Sequence, residues 1–443
     1  MMFVPNSILP LFIVALFVAA QAIVPPNATF KYINEGSFGE YIVEYSADYR
    51  TLNIGKFPFL LCFYNTTPDA FILGLRMGNR HSESLMRWVW DANRAKPVRQ
   101  NASLTLSSDG NLVLADVDGT LAWHTDTANK GVVGLDLLPN GNLVLFNAKG
   151  EFVWQSFDHP TDTLLVGQSI RPTTGPSKLV SRLSANDPSD GPYSFGTEGR
   201  FITMVYQTTN AKNKPLTYYK FDVFGPATKG SLAILDFQSE PEWGESNAHE
   251  LRFGVSMDIF QSSGTLILSR PKYNTTYSML RVDIDGNLRI YTYDPNVSWG
   301  AWEVTFQLFD KEERWGISTS ECQLPRRCGA LGVCEESQCV ACPSPSGLLG
   351  WNKACSPPTA PSCKGGAKVG YYKVVGVEHF TSAYKDGAGP VKLADCRDKC
   401  SRDCKCLGFF YREDSSKCLL APNLGTLVQV SNSAHVAYIK QAE

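Results

Sequence analysis

The sequence predicts a mainly β chain that ends in small disulfide-held modules, and three observations carry that expectation. The first is a unit that occurs twice with every landmark offset by 31 residues: Asp109-Gly110-Asn111-Leu112-Val113-Leu114 with Trp123, then Asn140-Gly141-Asn142-Leu143-Val144-Leu145 with Trp154. A fixed period of that size marks a repeat architecture. Each unit runs from a turn dipeptide into alternating apolar and polar residues, then into a short strand ending in tryptophan. The second observation is that short strands and turn signals persist from residue 23 to 318 without a helical period. The third is the cysteine distribution: twelve of thirteen lie between Cys322 and Cys418, the crowding of small modules in an oxidising compartment.

Composition narrows the class. Of 443 residues, 43% are hydrophobic and 12% aromatic, which excludes global disorder and allows several packed domains. The net charge of -2 and the absence of a dense Lys/Arg run exclude a nucleic-acid surface. Residues 1–22 read as a secretory signal: Ile8 to Ala20 is apolar and too short to span a membrane, and Ala20-Gln21-Ala22 suits cleavage before Ile23. This signal departs from the usual pattern in having no Lys or Arg before the apolar run. No second spanning run follows, and the tail from Ala434 to Glu443 is too polar for a lipid-anchor signal. A secreted chain without a membrane anchor is expected, with acceptor sequons at Asn27, Asn65, Asn101, Asn274 and Asn296.

Four regions follow the signal. Residues 23–160 hold the repeat, and Gly78-Asn79 through Trp88-Val89-Trp90 reads as a weaker unit completing three. Cys62, inside Phe59-Leu60-Leu61-Cys62-Phe63-Tyr64, is expected to be a buried free thiol rather than an intermolecular disulfide. Residues 161–318 stay β, and Asp283-Ile284-Asp285-Gly286-Asn287-Leu288 repeats the signature with Trp299 and Trp302 after it. Residues 319–358 carry Cys322, Cys328, Cys334, Cys339, Cys342 and Cys355. That piece is too small to bury a core, so disulfides at roughly 2–4 kcal/mol each must hold it. A zinc site is disfavoured, since the segment has no histidine. Residues 359–443 carry Cys363, Cys396, Cys400, Cys404, Cys406 and Cys418. Cys396 and Cys400 suit one face of a helix and Cys404 and Cys406 one face of a strand, which favours helix-to-strand bridges. The fifteen possible pairings of six cysteines stay open.

The paired units resemble the bulb-type mannose-binding lectins, which are β-prisms of three such units about a pseudo-threefold axis. The run from Phe152-Val153-Trp154-Gln155-Ser156-Phe157-Asp158 to Leu165 resembles the junction in S-domain proteins, the S-locus glycoproteins and lectin-type receptor kinases of plants. That resemblance implies a second, diverged β-prism for 161–318, an EGF-like module for 319–358 and a small α+β PAN (apple-like) domain for 359–443. In the EGF-like segment the spacing of Cys339 and Cys342 is one residue longer than usual, and the usual glycine-aromatic is missing. The order of modules is similar to that of the plant epidermis-specific secreted glycoproteins, the EP1-like group.

The lectin resemblance also implies sugar sites. Its family places Gln, Asp, Asn, Val and Tyr at every second position of a strand, so that amides and a carboxylate bond sugar hydroxyls over an apolar floor. Here the first site reads Ser107, Asp109, Asn111, Val113 and Ala115, and the second Leu138, Asn140, Asn142, Val144 and Phe146. Monosaccharides bind such sites at about millimolar, roughly -4 kcal/mol. Losing two hydrogen-bond partners at about 1 kcal/mol each weakens binding by roughly thirtyfold, so multivalency or extended glycans would have to restore it. Without a sugar, the same dipeptides are simply good hairpin turns.

Enzyme readings find no support. The chain has six histidines and no zinc-protease pair, nucleophile elbow or phosphate loop. Ser156, Asp158 and His159 are too close in sequence to converge as a triad. Asp116-Val117-Asp118-Gly119 and Asp283-Ile284-Asp285-Gly286 lack the glutamate of a calcium loop and read as turns. The expectation is a secreted, cell-wall or apoplastic lectin-like glycoprotein without catalysis, cofactor or metal, binding mannose-type glycans or matrix glycoproteins through weakened sites. The alternative is a non-lectin ectodomain whose prism and PAN surfaces meet receptor ectodomains or a second copy.

Overall fold

The computed structural model describes residues 23–79, 85–208, 213–226, 229–241, 249–258, 262–271, 277–311, 317, 319–359 and 369–442. The signal segment 1–22, the sequon at Asn274 and Cys363 lie outside them.

Three antiparallel sheets make the first prism: Asp48–Lys56 to Arg87–Asp91, Phe30–Ile33 to Leu121–His124, and Val132–Leu137 to Phe152–Gln155. Each repeats one cross-strand pair at its centre, Leu75 with Trp90, Leu114 with Trp123 and Leu145 with Trp154. The leucines are fully buried, and the three indoles meet edge to face, their centroids 5.9, 6.1 and 5.7 Å apart. Such pairs add about 0.5–1.5 kcal/mol each beyond the area they bury. Trp123 and Trp154, which carry the sequence period, thus form one triangle with Trp90 on the pseudo-threefold axis. The third unit exists, but Gly78-Asn79 is not its turn. That dipeptide follows the strand Phe71–Met77, whereas Gly110 and Gly141 precede theirs. Glycine is required at both of those positions. Their φ values are +83° and +88°, and a Cβ would come within 2.7 Å of Val132 and of Phe59 respectively.

Residues 163–307 repeat the plan with three four-stranded sheets. Ile290 pairs with Phe306 where the first prism pairs leucine with tryptophan. The tryptophans expected to match do not: Trp299 is 67% exposed, and Trp302 donates Nε1–H to Leu85 O of the first prism at 2.6 Å. The second core is instead phenylalanine-rich, with Phe195, Phe237, Phe253 and Phe306 buried together.

A buried ionic seam joins the prisms. Arg94 bridges Asp91 and Asp162, each at 2.7 Å, and Arg281 reaches Glu44 at 2.8 Å. Tyr64 donates to Asp91 and accepts from Arg182, both at 2.7 Å. Burial raises the Asp162 pKa, but the charges of Arg94 and Arg281 outweigh it and hold the carboxyl at about 2.

The two cysteine-rich regions are not separate beads. Leu331–Glu335 of the first pairs in parallel with Gly425–Gln429 of the second, inside one five-stranded sheet. The first is closed by Cys322–Cys334, Cys328–Cys339 and Cys342–Cys355. In the second, the helix Leu393–Arg402 turns Cys396 and Cys400 inward, bonded to Cys418 and Cys406. Cys404 is also disulfide-bonded. The expected strand across Cys404 and Cys406 is absent: both precede Gly408–Arg412, the former exposed and the latter buried. Cys62 is the free cysteine among the described residues, buried in the first prism, and burial pushes its thiol up to about 12.

Candidate carbohydrate-binding faces

The three signature segments fold identically. Gly110 donates to Ser107 O, Gly141 to Leu138 O and Gly286 to Asp283 O, each at 2.9 Å, and each strand begins only after the asparagine. The first two or three positions of each inferred sugar site therefore lie on a turn, not on a strand. In each turn the residue before glycine caps the loop: Asp109, Asn140 and Asp285 accept from the backbone N–H of Asn111, Asn142 and Asn287.

The asparagines are structural in all three. Asn111 Oδ1 accepts from Thr127 N at 3.1 Å and Thr125 Oγ1 at 3.2 Å. Asn142 Oδ1 accepts from Phe157 N and Ser156 Oγ at 3.3 Å, and its Nδ2 donates to Gln155 Oε1 at 2.8 Å. Asn287 exchanges both bonds with the Phe309 backbone, at 2.7 and 3.0 Å. Each amide thus fastens its turn to the segment that leaves the partner strand. Sequence reading saw the asparagines but missed those partners, because nothing in the 31-residue spacing distinguishes a clasp from a ligand.

What remains free differs from face to face. On the first, Ser107, Asn111, Val113 and Ala115 are half-buried and Asp109 is exposed. Among the described residues Ser107 Oγ, Asp109 Oδ2 and Asn111 Nδ2 have no hydrogen-bond partner. On the second, Asn142 and Val144 are 3% and 1% exposed, so Asn140 is the exposed polar group and the expected apolar floor is core. The third face was not recognised in the sequence as a possible site, although Asp283, Asp285, Asn287, Arg289 and Tyr291 repeat the spacing and retain Asp, Asn and Tyr at three positions. Arg289 stands where the pattern has valine. Its guanidinium bonds Asp283 at 2.7 Å and Asp285 at 2.8 Å, and Tyr291 donates to Asp283 at 2.8 Å. Burial raises the Asp283 pKa, whereas for Asp285 the Arg289 hydrogen bond and charge outweigh burial and lower it. That face is closed by its own residues.

The sequons divide in the same way. Asn27, Asn101 and Asn296 are exposed, whereas Asn65 ends the strand Phe59–Asn65 and is 7% exposed. Asn65 is therefore the most enclosed of the four described sequon asparagines. Ser156, Asp158 and His159 form no triad: Ser156 Oγ serves Asn142 and Leu143 N, and the His159 ring stacks on Trp154 at 5.4 Å. Among the described residues no group of three or more His, Cys, Asp or Glu could hold a metal, and no helix is long and apolar enough to cross a membrane.

The D-mannose binding lectin family matches residues 87–182, a span that contains the first and second faces. The chain is 48% identical to EP1-like glycoprotein 2 of Arabidopsis thaliana over 94% of its own length and 95% of that protein. It is 51% identical to the epidermis-specific secreted glycoprotein EP1 of Daucus carota, over 80% of its length and 93% of that protein. A putative receptor protein kinase of Zea mays, ZmPK1, is 29% identical over 86% of this chain but 45% of its own.

Proposed function

We propose, since the chain belongs to the EP1-like glycoprotein family of non-enzymatic, lectin-type proteins, that it is a secreted glycoprotein of the extracellular matrix that binds mannose-type glycans through the first face alone. One observation carries this reading: Ser107 Oγ, Asp109 Oδ2 and Asn111 Nδ2 are unpartnered beside half-exposed Val113, while the second face keeps Asn140 as its exposed polar group over a buried Val144 and the carboxylates of the third are paired with Arg289. Two acceptors and one donor around an apolar floor suit vicinal sugar hydroxyls. A shallow site of this size gives about millimolar affinity for one sugar, so branched or clustered glycans are its fitting ligands. The relatives' printed names and the exposed sequons at Asn27, Asn101 and Asn296 support secretion.

The second reading, a protein-interaction ectodomain built on EGF-like and PAN modules, is favoured by a different observation. The strand Gly347–Gly350 is an edge of the five-stranded sheet, and its Leu348 and Leu349 are exposed. Edges with exposed leucines are ready surfaces for another chain. A glycan array on the glycosylated, recombinant chain separates the two. High-mannose glycans as the strongest signal support the first; a blank array beside a saturable protein partner lost on Leu348→Lys supports the second.

A further inference from the structure

A cleft of about 650 Å³ opens between the second prism and the first cysteine module; Ile284, Asp285 and Arg289 of the third face line it and no residue of the first face does. Two tyrosines of the second prism form its floor. Tyr193 and Tyr206 are 3% and 1% exposed, with ring centroids 5.4 Å apart. Gly286 presses on the first ring so closely that a Cβ would lie 2.7 Å away. Neither phenol makes a hydrogen bond among the described residues, although both line the cleft. Burial pushes the Tyr193 hydroxyl above its ordinary range, which keeps it a neutral donor.

The charges of the walls balance, but not all are paired. Arg289 is held by Asp283 and Asp285, and Arg327 by Glu321 at 2.8 Å. Arg326 and Asp190, both exposed, have no ion-pair or side-chain hydrogen-bond partner among the described residues. Leu183 and Ile284 line the cleft as exposed apolar side chains. The free groups are thus one cation, one carboxylate, two phenols and two aliphatic surfaces. Sugars present hydroxyls and C–H faces together, and one arginine pairs a single carboxylate bidentately. A dianion such as phosphate would meet the carboxylates of Asp190, Asp285 and Glu321 on the same walls.

We propose that this cleft binds an oligosaccharide containing a hexuronic acid, with its carboxylate on Arg326, its hydroxyls on Tyr193, Tyr206 and Asp190, and its C–H faces against Leu183 and Ile284. The proposal rests on the carbohydrate-binding reading but not on the first face.

Calorimetry of the full chain with an aldobiouronic acid, a disaccharide carrying one carboxylate, and with its methyl ester tests it. The acid binds about tenfold more tightly than the ester. Arg326→Gln removes that difference, and Tyr206→Phe, which keeps the buried ring, weakens both probes by about fivefold. Unchanged melting temperatures show that the variants are folded. Absence of saturable binding of the acid at millimolar concentration, equal affinity for acid and ester, or an Arg326→Gln variant that binds like the parent overturns the proposal. A mannose-rich oligosaccharide titrated into the same proteins keeps the two sites apart: Arg326→Gln leaves its affinity unchanged. A chain that binds the acid but not that oligosaccharide overturns the mannose reading alone.

Discussion

The face beginning at Ser107 and the face beginning at Asp283 share turn geometry, asparagine clasp and register, yet one is chemically open and the other closed. In the first, half-buried Val113 leaves Asp109 Oδ2 free; in the second, Arg289 occupies the equivalent position and neutralises two carboxylates. The Gly-Asn-Leu signature therefore specifies a turn and its fastening, and the residues at the neighbouring alternate positions decide whether the face is chemically open. A repeat can keep its fold while losing its chemistry through one side chain.

The sharpest way to break the contrast is to empty the closed face. Arg289→Val leaves Asp283 and Asp285 without their cation, a cost of about 2–3 kcal/mol in chemical denaturation at pH 7, most of it at half-buried Asp283, since Asp285 is exposed and screened. Asp283 is already raised by burial. A carboxyl with a raised folded pKa favours folding below its unfolded pKa and loses that contribution as pH rises through the folded one. The variant's deficit must accordingly shrink as pH falls through the Asp283 titration. A deficit independent of pH would mean that packing, not charge, holds the face.

Asn142→Ala ranks next. It orphans Phe157 N, Ser156 and Gln155 and should lower stability by about 1–3 kcal/mol without altering glycan binding. Asn111→Ala would also lose the bond from Thr127 N, so alanine at that position confuses stability with binding. Asn111→Asp keeps the acceptor and replaces the donor with a carboxylate oxygen, which adds one negative charge beside Asp109. In the other direction, Ser107→Gln with Ala115→Tyr restores two family groups and should tighten binding of a mannose-rich oligosaccharide by roughly thirtyfold, at about 1 kcal/mol per bond.

Much of this was legible in the sequence because it is periodic. The 31-residue offset located Trp123 and Trp154, and alternation put Leu114 and Leu145 inside. The units that lost a landmark were harder to read. In the first sheet the turn before Phe71–Met77 has no Gly-Asn dipeptide, so Gly78-Asn79 took its place in the reading. In the second prism Phe306 replaces the tryptophan, and Trp302 serves the seam between prisms. The parallel pairing of Leu331–Glu335 with Gly425–Gln429 joins segments far apart in sequence, which no local pattern encodes. At the sites, spacing identified the residues but not their partners. Asn142 and Val144 match the sugar pattern, yet one is consumed by hydrogen bonds and the other by the core.

That mannose-type glycan is bound by the first face alone is tested most directly by calorimetric titration of a mannose-rich oligosaccharide into the parent chain, Asn111→Asp and Asn142→Asp. Asn111→Asp should bind about five- to thirtyfold more weakly, the loss of one hydroxyl partner at roughly 1–2 kcal/mol, while folded Asn142→Asp binds as the parent does. Equal affinity for the parent and Asn111→Asp, or a loss confined to Asn142→Asp, would contradict it.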